Sequence, residues 1–90
     1  MAMTDDELIA REIEDDWYHP GPADVRLRRS GVHVWAIIGF YLGAGGLDKA
    51  TVAQDYEIPV EEIEACLAYY RRHRAEIDAR LAANSPALVG

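Results

Sequence analysis

Ninety residues leave room for one domain and not two, and half of them are apolar, enough for a core in a chain too small to bury most of its surface. The formal charge is −7, sixteen acids against nine lysines and arginines, which argues against a broad electrostatic grip on nucleic acid while leaving room for a local basic patch. A lone cysteine rules out an intramolecular disulfide framework, and no apolar run reaches the ~20 residues that cross a bilayer.

The chain opens with MAMTDDELIARE, which lacks a signal peptide's basic start and apolar run, so a cytoplasmic protein of bacterial type is expected. From Thr4 to Asp16 a helix is predicted. Thr4 and Glu7 fit a capping box, and Asp5, Asp6 and Glu7 suit the positive end of the helix dipole. Leu8, Ile9 and Ile13 give it only a thin apolar strip, so residues 1–22 read as an acidic N-terminal arm. Two readings stay open for it: a solvated, frayed segment, or a clip that docks on a second subunit or partner. WYHPGP, from Trp17 to Pro22, stops this helix. His19 has no second histidine or cysteine at ligand spacing, and no metal role is expected for it.

Val25 and Leu27 alternate with Arg26 and Arg28, which predicts a short strand ending at a Ser30-Gly31 turn. A lone strand needs a partner, and the same strand of a second copy is one candidate. Arg26, Arg28 and Arg29 read either as charges guarding a sheet edge or as contacts to phosphate or to an acidic partner. VWAIIGFYL, Val34 to Leu42, predicts a helix apolar almost all round. Such a helix is buried on more than one side, and a second subunit is the simplest cover for the side facing away from the core. Trp35, Ile38 and Tyr41 are therefore the expected dimer interface. Gly43, Gly45 and Gly46 end the helix, with a left-handed cap expected there.

Asp48 is a good N-cap for a helix from about Lys49 to Tyr56, on which Val52, Ala53 and Tyr56 share a face. Glu57, Ile58 and Pro59 form a turn, and a second helix starts near Val60 with the stripe Ile63, Cys66, Leu67, Tyr70, Ile77 and Leu81. Two short amphipathic helices so joined are a helix-turn-helix. Nothing between Glu61 and Ala83 breaks the second one, so a long C-terminal helix is expected, followed by a loose tail over residues 84–90. Arg74 interrupts its stripe and is expected to reach solvent or a partner's carboxylate. Cys66, on that stripe, reads as a small core residue.

No catalytic or cofactor motif stands out: there is no phosphate loop, no HExxH, no CxxC and no nucleophile motif, so no enzyme, no cofactor and no metal are expected. In a DNA-reading helix-turn-helix the first residues of the second helix touch base edges. Here they are Val60, Glu61, Glu62 and Glu64, a poor match for a polyanion. DNA contact is more plausibly carried by Arg26, Arg28 and Arg29, or by Arg71, Arg72 and Arg74, than by that start. The second cluster also reads as cations placed late in a helix, paired along a solvated face as Glu64 to Arg71.

From about Ala23 to Leu81 the chain resembles a small bacterial and archaeal family numbered 433 among the domains of unknown function. The resemblance is strongest in VWAIIG, VAQDYEIPVEEIEACLAYY and RRHRAEID. Where that family usually has glycine-threonine-arginine-isoleucine-proline before the first run, this chain has Arg29, Ser30, Gly31, Val32 and His33. The resemblance implies a mainly α fold over residues 23–83. Its core is a homeodomain-like three-helix helix-turn-helix, often dimeric, with the short strand before it and the long helix after it. Many members look like antitoxins of VapBC-like type II modules, so it also implies a PIN-like ribonuclease toxin as partner. The antitoxin would cover the toxin's acidic metal site and, as a homodimer, repress its own operator DNA. Two other functions compete: a stand-alone transcription regulator, and a dimeric module that binds protein only. No membrane partner is expected.

Overall fold

The computed structural model describes residues 3–84. The Thr4 hydroxyl accepts from the Glu7 N–H at 3.2 Å, and the Glu7 carboxylate accepts from the Thr4 N–H at 2.9 Å. That capping box starts helix α1 (Asp5–Glu12), with Asp5, Asp6 and Glu7 in its first turn. The helix stops four residues earlier than its composition suggests. Ile13 is extended and opens strand β1 (Ile13–Glu14), which pairs antiparallel with β2 (Arg26–Leu27), Ile13 opposite Leu27 and Glu14 opposite Arg26. The strand around Arg26 therefore finds its partner within its own chain and not in a second copy. A two-residue strand is too short to show alternation, so β1 leaves no periodic trace in the sequence.

Helix α2 (Val34–Leu42) buries Val34, Ile37 and Ile38 completely. Its cap, Gly43, is not left-handed (φ −109°). The positive φ values come later in the turn, at Gly46 and Leu47 (63° and 61°). Gly45 is buried there, and only glycine fits, since a Cβ would meet the Phe40 carbonyl at 2.9 Å. Asp48 then caps α3 (Lys49–Tyr56), accepting from the Ala50 N–H at 3.2 Å and the Thr51 hydroxyl at 2.7 Å. Glu57 turns left-handed (φ 57°), the Ile58 N–H returns to the Ala53 carbonyl at 3.0 Å, and Pro59 leads into α4 (Val60–Arg72). Two helices joined by a short turn are thus present and start where predicted, but the second ends at Arg72, short of the expected Ala83.

Helix α4 is the centre of the molecule. Ile63, Ala65, Cys66 and Ala68 are fully buried, and α1, α2 and α3 all pack on it, α1 most extensively. Residues 1–22 are accordingly no free arm among the described residues: Ile13 joins the core, with Leu8 and Ile9 packed against it. The long C-terminal helix is broken at His73 (φ −129°, ψ 41°), and α5 (Arg74–Ala83) follows. A straight helix from Val60 to Ala83 would be about 36 Å long and would run past the core. The break sets α5 against α2 instead, burying Ile77 and seating Leu81 where a Cβ on Gly39 would be only 2.9 Å from it. The apolar far side of α2 is thus covered largely by α5 of the same chain. The expected tail lies, beyond Asn84, outside the described residues. No helix among them is long and apolar enough to cross a membrane.

Candidate interaction surface

The arginines expected to meet a phosphate or a partner are mostly engaged with the chain's own acids. Arg71 reaches Asp5 at 2.9 Å, and Arg72 pairs with Asp6. At the other end of α1, Arg26 bonds Glu14 at 2.8 Å, Arg28 lies 3.5 Å from Glu14, and Arg29 lies 3.8 Å from Glu12. Arg28 also donates to the carbonyls of Ala10, Arg11 and Ile13 at 3.0–3.3 Å, which closes the C-terminal end of α1. The acidic helix is therefore strung between two arginine clusters. Arg74 lies over the Tyr70 ring at 4.9 Å and stays exposed. The expected Glu64–Arg71 pairing is replaced: Glu64 takes Lys49 across the helix-turn-helix at 3.2 Å, and α1 takes Arg71.

At the start of α4, Val60 and Glu61 are exposed while Glu62 is buried, with Oε1 lacking any partner. Glu62 stands three positions after the N-cap, where a capping-box carboxylate would take the N-cap N–H, but Pro59 has none. Burial first, and the nearby Glu12 second, push the Glu62 carboxyl above its ordinary 4.5. On α2, Ile38 is enclosed within the single chain and offers no surface to a second one. Trp35 and Tyr41 are half-buried, with Arg80 over the Trp35 ring at 5.0 Å. Burial raises the Cys66 thiol far above the ordinary range, so it is an unreactive core group. Among the described residues, no cluster of three or more His, Cys, Asp or Glu is placed to hold a metal ion.

The largest exposed apolar side chains sit in the loop after β1. Trp17 is 75% and Tyr18 73% exposed, with ring centroids 4.8 Å apart. Their loop is anchored from beneath by the buried Asp16. Its carboxylate accepts from the Tyr18 N–H at 3.0 Å and bonds the His33 ring at 2.9 Å. The His33 hydrogen bond is the main cause of an Asp16 carboxyl held down at about 2. At the far end the Tyr69 hydroxyl donates to the Pro22 carbonyl. An open cleft of about 830 Å³ runs beneath Trp17, floored by Ile9, Ile13, Val25 and Tyr69.

Reading WYHPGP only as a helix stop missed this feature. Two adjacent aromatics in a proline-glycine loop, outside any periodic apolar face, were the available signal. Comparison with known proteins adds no relative: no protein-family model, no curated protein and no solved structure matches this chain.

Proposed function

We propose that this chain is a non-catalytic binding protein of antitoxin type, whose helix-turn-helix, in the homeodomain-like sense, is α2, α3 and α4. Its partner is a PIN-like ribonuclease toxin, and it acts in the cytoplasm as a homodimer. Trp35 and Tyr41 are the α2 side chains left to contribute to the dimer contact. One observation carries the preference for a polypeptide partner: five of the six candidate arginines are paired with acids of their own chain, whereas the Trp17–Tyr18 pair is presented to solvent on an anchored loop. Aromatic side chains of that size are the usual anchors of protein interfaces. Co-expression with the product of the neighbouring gene tests the reading. The pair is expected to co-purify, with growth inhibition by the neighbour relieved. A neighbour that neither binds nor inhibits growth sinks the antitoxin reading.

A second reading, operator DNA binding, is favoured by the α3–turn–α4 geometry and by Arg71 and Arg72, which stay about half exposed. It predicts retardation of the chain's own promoter duplex, weakening steeply with salt and lost in Arg71→Ala/Arg72→Ala/Arg74→Ala. No retardation at low salt removes it.

A further inference from the structure

We infer that the cleft beneath Trp17 takes an extended segment of a partner protein carrying a lysine or arginine beside an apolar side chain. This rests on, and deepens, the reading of the chain as a protein-binding module, since it assigns the partner's chemistry.

Trp17 and Tyr18 are exposed yet tied down on both sides: the Tyr18 N–H and the His19 N–H both return to Asp16, at 3.0 Å each, and Tyr69 fixes Pro22. A surface already ordered before binding loses little freedom when a partner docks. The cleft floor is apolar, so it favours an apolar side chain.

The rim sets the sign of the charge. Glu14, Asp15 and Asp16 line the cleft with one cation, Arg28; Glu14 is also paired with Arg26 and the buried Asp16 with the His33 ring, which leaves Asp15 as the carboxylate open to a new cation. Arg28 is committed to three backbone carbonyls and to Glu14. Asp15 is exposed and has no ion pair among the described residues. An unpaired carboxylate next to an open tryptophan face suits a guanidinium or ammonium, which gains from both. The overall charge of −7 steers a basic partner towards the chain as well. A nucleotide base could stack on Trp17, but its phosphate would then meet the same acids, so nucleic acid is the disfavoured occupant.

The probes are a blocked peptide of lysine, arginine and leucine, the same peptide with glutamate for the cations, and a short oligothymidine. Binding is read from backbone amide resonances of the whole chain. The cationic peptide is expected to move resonances in the 14–22 loop and around Val25 and Tyr69, more weakly as salt rises. The glutamate peptide and the oligonucleotide move none. Trp17→Ala is expected to weaken the cationic peptide about tenfold, as loss of an interface anchor does, and Asp15→Asn about threefold. Both sites are exposed, and an unchanged urea midpoint confirms that each variant is folded. Equal binding of either anionic probe, shifts centred elsewhere, or no loss in Trp17→Ala overturns the inference. A toxin that still co-purifies with Trp17→Ala/Tyr18→Ala overturns it and leaves the protein-binding reading standing. Peptide binding that needs Trp17, with no toxin captured by the native chain, upholds it and removes the antitoxin reading.

Discussion

Glu62 carries an unmet hydrogen-bonding position because a proline stands at the N-cap of its helix. Its raised carboxyl makes a testable sign. Below the ordinary 4.5 the group is neutral folded or unfolded and has no effect; as pH rises from there through the raised value, the folded chain loses stability. Glu62→Gln is expected to match the native urea midpoint near pH 4 and exceed it at neutral pH. The gain would be about 1 kcal/mol, the low end of the cost of a buried polar group without a partner, since the neutral amide is cheaper to bury and is not repelled by Glu12. Asp16 works in the opposite sense. Its depressed carboxyl stabilises the fold above the ordinary 3.8, and that contribution disappears as pH falls from 3.8 through about 2. Asp16→Ala at neutral pH should reproduce what acid does to the native loop: a drop in Trp17 fluorescence anisotropy, with the Asn variant intermediate because it keeps an acceptor for the Tyr18 N–H.

At the level of elements, α3, the turn after it and the start of α4 were legible and much of what surrounds them was not, for one physical reason. Asp48 capping α3, Pro59 leading into α4 and the stripe at Ile63 and Cys66 are local signals read within a turn or two. Helix α1 docks through Leu8, Ile9 and Ile13 against the core, with Asp5 meeting Arg71 sixty-six positions away, and periodicity does not record such distant partners. The break at His73 is equally silent, since no glycine or proline marks it; burial of Ile77 against α2 is what a straight helix would forfeit. The aromatic loop fell between these cases, with its composition visible and its anchoring on Asp16 not. Glu57 offers a check on the motif's turn: a residue with a side chain held at φ 57° costs free energy that glycine does not. Glu57→Gly should therefore raise stability by about 0.5–1 kcal/mol in urea unfolding, after allowance for glycine's greater freedom in the unfolded chain.

For the molecule as a whole, the N-terminal helix is packed into the body of the fold. It covers α4, and the strand that follows it completes the only sheet among the described residues. Amide protons of α1 are expected to exchange with the same opening free energy as those of α4, whereas a detached arm would exchange orders of magnitude faster. Arginine–carboxylate pairs at the surface contribute little each, about 0.2–1 kcal/mol, so the apolar contacts of Leu8, Ile9 and Ile13 should keep α1 docked in high salt. The proposed homodimer is checked by sedimentation of the native chain against Trp35→Ala; a native monomer removes it.

The fully enclosed sulfur of Cys66 has a practical consequence. The sequence contains no other thiol, so nothing at the surface competes for an alkylating reagent. The rate at which iodoacetamide adds mass to the native chain should therefore clock how often the interior opens. The same chemistry would show whether a bound partner slows that opening, with no label engineered into the protein.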